Sequence, residues 1–210
     1  MVPSNMPNRW LLLAAVCIGN VRDWIDRKRA AVFNAFARWV IAKAAKRPPN
    51  AIIGGPENPY LLRWWLIPRN RWFNVYLHQF KRSDDDRALH DHPWINASIV
   101  LTEPGYTEVS PTCPREMKLK AGVFTTMVQR TARPAGSIVV RRASAAHRLE
   151  LHRDRIDGHE ISIWSLFITG RVKRTWGFWC PRGWRKWHEF VDNTTDANGQ
   201  ITSKVGRGCD

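Results

Sequence analysis

The chain has few acidic residues, no ordered cysteine spacing and no long apolar run. Its 18 Asp+Glu stand against 33 Lys+Arg, a formal net charge of +15, which attracts polyanions but says nothing about fold. Four cysteines, Cys17, Cys113, Cys180 and Cys209, lack C-x-x-C spacing, so neither a zinc knuckle nor a disulfide framework is expected, and a reduced, cytoplasmic setting fits them. The longest apolar run, Trp10 to Gly19, is ten residues, about half of the roughly 20 that a membrane-spanning helix needs. No small-x-small cleavage site follows it before Arg22 and Asp23, and Val16 stands where a lipobox before Cys17 needs a small residue, so export is not expected. There is no G-x-S-x-G elbow, no Walker loop and no G-x-G-x-x-G, which removes esterase, nucleotidase and dehydrogenase readings. No internal repeat is visible.

What is present is an ordinary globular balance over 210 residues, 44% apolar and 24% charged, with 12 tryptophans. That suffices for one domain with a substantial core plus appendages. Residues 1–47 carry nine Lys/Arg against two Asp. Within them 21–46 read as a basic amphipathic helix, Val21, Ile25, Val32, Phe36 and Val40 falling near helical spacing. Such a helix lies on a membrane surface or on nucleic acid, or packs on a core with its charges in water. Pro48 to Pro59 read as a linker. From Tyr60 the period changes: Tyr60–Ile67, Trp72–Phe80, Trp94–Glu103, Ser137–Arg141, His147–Leu151 and Ile161–Thr169 are aromatic and β-branched runs, mostly separated by turn residues. Successive short strands without intervening helices predict an all-β antiparallel sandwich or barrel over 60–191. Residues 110–136 fit a hairpin with a long loop, and 192–210 read as a flexible polar tail.

The sharpest local pattern is R-A-L-H-D-H-P-W, Arg87 to Trp94. On an extended segment the two-residue period sets His90 and His92 on one face, able to share a metal; a helix cannot do this, because i and i+2 side chains diverge. A third ligand must come from elsewhere, and His147, opening the alternating stretch H-R-L-E-L, is the candidate.

These residues resemble the cupin superfamily, whose motifs are G-x5-H-x-H-x3-4-E-x6-G and G-x5-P-x-G-x2-H-x3-N. His90 and His92 match the first pair of ligands, and Gly136 and His147 stand at the second motif's eleven-residue separation. Asp84 replaces the leading glycine, Asn96 or Ala97 stands where the ligand glutamate belongs, and Arg142, Ser144 and Leu151 replace the second motif's proline, glycine and asparagine. The chain also looks like small uncharacterised cupin-like proteins of bacteria and their phages. The resemblance implies a jelly-roll barrel with one divalent transition metal on His90, His92 and His147, in the three-histidine form found among cupin thiol dioxygenases. An Fe(II)-dependent oxygenase is the implied activity, with Zn, Mn or Ni as other metals the imidazoles suit.

Asn96 and Glu103 are candidates for an additional place in the shell. Trp72, Asn74, Tyr76, His78 and Phe80 share one parity, so Tyr76 and His78, with Arg142, are the candidate catalytic residues; His78 reads equally as a hydrogen-bonded wall residue. Arg82, Arg87, Arg141 and Arg148 cluster around the two motifs. They suit an anionic small-molecule substrate, possessing the fork that grips carboxylate or phosphate, or serve as surface charge balanced by Asp84, Asp85 and Asp86. The stretch from Arg171 to Trp187 interleaves basic residues with tryptophan, either a nucleic-acid stacking surface or a closing strand and lid. The alternative to an enzyme is a binding protein for nucleic acid or a small ligand, with a structural metal or none.

Overall fold

A computed structural model describes residues 9–84, 88–112, 128–180, 182–195, 201–205 and 208–209. Helix α1 (Arg9–Ala44) is followed by strands β1 (Ala51–Ile53), β2 (Leu61–Trp65), β3 (Asn74–Phe80), β4 (Leu89–His90), β5 (Asn96–Val100), β6 (Tyr106–Pro111), β7 (Val128–Arg133), β8 (Ile138–Arg141), β9 (Arg148–Leu151), β10 (Ile163–Thr169), β11 (Gly177–Cys180) and β12 (Gly183–Lys186). The one-turn helix α2 (Trp187–Phe190) and strands β13 (Val191–Thr195) and β14 (Ile201–Val205) complete the chain. Met1–Val40 is one compact unit and Ile41–Asp210 the other. Among the described residues no helix is long and apolar enough to cross a membrane.

Helix α1 begins well before residue 21, because the run from Trp10 is built of strong helix formers, Leu and Ala. It ends at Ala44, short of Pro48, with Lys43 in its last turn, where a cation meets the negative end of the helix dipole.

The β unit is a mostly antiparallel two-layer sandwich. One layer is an eight-stranded sheet in the order β13-β14-β1-β2-β3-β10-β5-β8. Two three-stranded sheets, β12-β11-β4 and β7-β6-β9, form the rest. Among the described residues these are joined at one antiparallel bridge, His90 to His147, whose backbones exchange both hydrogen bonds at 2.9 Å. Leu61, Phe80, Val100 and Ile163 of the large sheet bury against Tyr106, Leu149 and Leu151 of the other layer. The apolar core therefore occupies one end of the sandwich. At the other end the inward positions are polar: His78, Asn96, Ser98, Ser165 and Thr169 are buried, while Ile95, Ile138, Val140 and Ile168 face out.

Asp91, between the two histidines, has the opposite parity and is fully buried on the far side. Its carboxylate accepts the Gly177 amide (2.9 Å) and the Trp184 indole N–H (3.2 Å), and pairs with Arg174 at 2.6 Å. Gly177 has to be glycine, since a Cβ there would fall 1.9 Å from the Arg185 carbonyl oxygen. Asp91 thus ties the β11–β12 hairpin to the segment that carries the histidines.

Three sequence expectations are corrected. Residues 48–59 are not a free linker: β1 lies within them, paired to β2 and, in parallel, to β14. Arg47 and Asn50 are also pinned to β2, the Trp64 indole donating to the Arg47 carbonyl and the Trp65 amide to Asn50 Oδ1, both at 2.9 Å. Residues 192–210 are not simply a tail, because β13 and β14 extend the large sheet from there; their Thr/Asn-rich pattern lacks alternation, and the partner strand decides their conformation. Finally, Cys180 and Cys209 form a disulfide. One isolated pair leaves no spacing signal, and the bond removes the thiol argument for a reduced compartment. The expected hairpin is present as β6 and β7, which pair antiparallel; residues 113–127 between them lie outside the described residues.

Two outcomes follow. Removing residues 1–40 leaves a cooperative thermal transition, whereas removing 1–56, and β1 with them, lowers the melting temperature or abolishes the transition, as calorimetry can read. Asp91→Ala, which strips three donors of their buried acceptor, lowers stability in urea unfolding by about 2–3 kcal/mol.

Candidate metal centre

The three histidines come together as the pattern required. His90 ends β4, His92 follows two residues later with the same parity, and His147 immediately precedes β9. The His90–His147 bridge holds those two backbones in register, so their rings stand on one face with centroids 4.9 Å apart. His92 lies with its centroid 5.2 Å from each of the other two. One nitrogen from each ring falls within 4.8 Å of the others. The Nε2 atoms of His92 and His147 are 2.9 Å apart, the separation that two nitrogens at about 2.0–2.1 Å from one ion take when they subtend about 90°. The donor set therefore fits a first-row transition metal.

Both rings of that close pair are held neutral, the form that can ligate. Burial, then the neighbouring imidazoles and Arg141, depress the pKa of His92 well below the usual histidine value. For His147 burial and the charge of Arg141 outweigh the pull of Glu108, and its pKa falls to about 3.

Behind the ligands stand two carboxylates. Asp84 Oδ2 lies 3.9 Å from His90 Nδ1 while accepting the Leu149 amide at 2.7 Å. Glu108 Oε1 makes an oblique 3.1 Å contact with His147 Nδ1. A carboxylate at Nδ1 favours the tautomer that leaves Nε2 free for an ion. Glu108 is itself buried on β6 and gripped by two arginines, Arg141 Nε donating at 2.7 Å and Arg133 Nε at 2.8 Å. Burial alone would raise its pKa, but the His147 contact and Arg141 reverse this and hold the carboxyl well below the usual range.

A cavity of about 430 Å³ opens in front of the histidines. Its wall on the large sheet includes Arg63, Tyr76, His78, Ser98, Ser165 and Phe167. Tyr76 and His78 therefore face it, as the β3 parity implied. His78 is a hydrogen-bonded wall residue: its Nε2 accepts from Arg63 Nε at 2.9 Å, and its ring stacks on Phe167 at 5.0 Å. Burial and the Arg63 charge push its pKa well below the histidine norm.

Other candidates are placed differently. Arg142 is exposed, one residue past the inward Arg141, and lies outside the cavity wall; strand alternation turns it to solvent, which corrects its catalytic assignment. Glu103 is exposed in the turn between β5 and β6, outside the histidine cluster and the cavity wall; Glu108 stands behind His147 and not among the ligands. Asn96 is buried but does not line the cavity wall, and neither of its amide atoms is hydrogen-bonded among the described residues. Of the proposed anion-binding arginines, Arg141 is committed to Glu108, and Arg148 pairs with Glu150 at 2.6 Å away from the cavity wall. Arg82 lines the cavity and donates to the Asn58 carbonyl at 3.2 Å. Arg87 lies outside the described residues.

Trp176 and Trp187 stack at 6.0 Å and pack with Phe178 in one apolar cluster, while Trp179 packs with Leu89, Val109 and Ala146 in another. The sequence reading missed Glu108 and Arg63. Each was marked only by alternation: Glu108 shares parity with Tyr106, and Arg63 with Leu61 and Trp65.

No family model and no curated protein matches the chain. Among solved structures it is similar to a cupin superfamily protein from Desulfitobacterium hafniense (10% identity over 53% of this chain and 77% of that one, TM-score 0.35). It is also similar to a cupin domain from Bordetella pertussis (12%, 56% and 99%, TM-score 0.35) and to a cupin-2 domain protein from Shewanella frigidimarina (13%, 52% and 79%, TM-score 0.33). These three solved structures are cupin proteins.

Proposed function

We propose that the chain is a metal-dependent enzyme of the oxygenase type, holding one Fe(II) on His90, His92 and His147 and acting on an anionic small molecule. The observation that carries this reading is the convergence of three imidazoles, two of them held neutral, on the mouth of one cavity with carboxylates behind two of them. A three-nitrogen shell around Fe(II) supplies open coordination positions for O2 and a substrate atom. The chain's own residues do the rest. Glu108 and Asp84 set negative charge behind His147 and His90, Phe167 and Phe178 supply apolar surface beside the rings, and Arg141 is neutralised by Glu108.

A second reading, polyanion binding, is favoured by Trp72, which is 52% exposed and has the guanidinium carbons of Arg71 and Arg171 4.8 Å and 4.7 Å from its ring centroid. The basic segment 21–46 belongs to the same reading, on nucleic acid or on an anionic membrane surface.

Purified without an affinity tag, the protein carries about one equivalent of transition metal by elemental analysis. His90→Ala, His92→Ala and His147→Ala each lower occupancy and His152→Ala does not; full occupancy in all three variants removes the site. Glu108→Gln leaves the three ligands in place but weakens metal affinity about 10- to 100-fold in competition with a chelator. For the second reading, Trp72→Ala weakens oligothymidylate binding by about 1–3 kcal/mol, and the affinity falls with a log–log salt slope of about −0.9 or shallower per phosphate contacted. Unchanged affinity in that variant removes the stacking role.

A further inference from the structure

Among the described residues Arg63 is the half-buried arginine of the cavity wall with an open charge. Arg141 is spent on Glu108, Arg82 has the carboxylates of Glu160 and Asp84 as charged neighbours, and Arg69 is exposed with its guanidinium 5.3 Å from the Trp65 ring. No carboxylate among the described residues pairs with Arg63. Its neighbours are His78, which accepts from Nε at 2.9 Å, and the Tyr76 ring, with the guanidinium carbon 5.2 Å from its centroid. Burial is the chief influence on its pKa, which it lowers; Tyr76 and Tyr60 oppose this and the neighbouring cation Arg69 adds to it. A half-buried cation without a counter-ion carries a desolvation cost. An anion that enters the cavity removes that cost.

The geometry around it is that of a receptor. His78 occupies Nε, so the two Nη groups at the end of the guanidinium remain, the edge that grips a planar carboxylate bidentately. Strand register places Arg63, His78 and Ser165 in one row across β2, β3 and β10. Ser165 Oγ is buried in the cavity wall with no hydrogen-bond partner among the described residues, an unmet donor pointing to a polar ligand. Phe167 stacks on His78 at 5.0 Å and stands 5.6 Å from His92. The cationic pole and the imidazole pole are therefore separated by one aromatic ring.

We propose that Arg63 is the anion receptor of this cavity and that its ligand is a small organic carboxylate with a flat apolar body, the carboxylate on Arg63 and Ser165 and the body along Phe167 toward the histidines. His78 is a positioning residue that locks the fork by accepting from Nε. This deepens the reading of the cavity as a substrate site but does not depend on the metal, so it is tested on the full chain after chelator treatment, with metal content scored separately.

The probe is benzoate, titrated calorimetrically against its neutral counterpart benzamide and against inorganic phosphate. Wild type binds benzoate saturably and at least tenfold more tightly than benzamide or phosphate. Arg63→Gln weakens benzoate at least tenfold while a cooperative melt is retained; Arg63→Lys, which keeps the charge but not the fork, falls between; Arg142→Gln, at an exposed position, binds as wild type does. Should Arg63→Gln lose its cooperative melt, Arg63→Lys decides: several-fold weaker benzoate binding supports the assignment and wild-type affinity overturns it. Absence of benzoate binding by wild type, no preference over benzamide, a preference for phosphate, or undiminished binding by folded Arg63→Gln each overturns it. Loss of metal binding in the histidine variants with benzoate affinity intact leaves the receptor standing and separates the two claims.

Discussion

The reciprocal backbone hydrogen bonds between His90 and His147, both 2.9 Å, fix the rest of the site. They are the only bridge recorded between the two small sheets among the described residues, and they join chain segments more than fifty residues apart. Because directly opposed residues of an antiparallel pair project to the same face, the same two bonds that close the second layer also bring two imidazoles together. His92 is then placed by the two-residue period alone. Asp91, forced to the opposite face, is used to anchor the β11–β12 hairpin. Fold and candidate centre are thus one arrangement, and neither His90 nor His147 can shift without opening the second layer.

Around that bridge the interior is sorted by charge. Glu108 takes Arg141 and Arg133 on its two oxygens and reaches His147 with one of them, so the carboxylate that supports a ligand is also the counter-ion of the nearest cation. Buried ion pairs gain little net stability after desolvation, and a sandwich built only to be stable would place apolar residues here. The apolar residues lie instead at the far end, around Tyr106, Val100 and Ile163. Inward Ser98 and Ser165 against outward Ile138 and Val140 reverse the usual alternation of a half-buried sheet. The cavity accounts for that reversal on its inner side.

Much of this was legible in the residues. All six runs read as strands from Tyr60 onward contain strands, and the H-x-H spacing with His147 located the centre, because short-range periodicity survives folding unchanged. The parity of β3 set Tyr76 and His78 on one face, and both line the cavity. What was not legible depends on partners distant in sequence. The strand at Ala51–Ile53 and those from Val191 onward have no alternation of their own and become strands by pairing with one another. Glu108 could not be told from Glu103 without knowing which lies on a strand and which in a turn. Arg63 was passed over because the arginines beside the motifs drew attention to charge near the histidines in sequence, whereas the open cation comes from across the sandwich.

The account stands or falls on what binds the metal, and X-ray absorption at the metal edge of the purified protein measures that directly. It predicts a first shell of nitrogen and oxygen at about 2.0–2.2 Å with the outer-ring scattering of three imidazoles, falling to two in His147→Ala. A sulfur shell, a shell without imidazole scattering, or a spectrum unchanged in His147→Ala would contradict it.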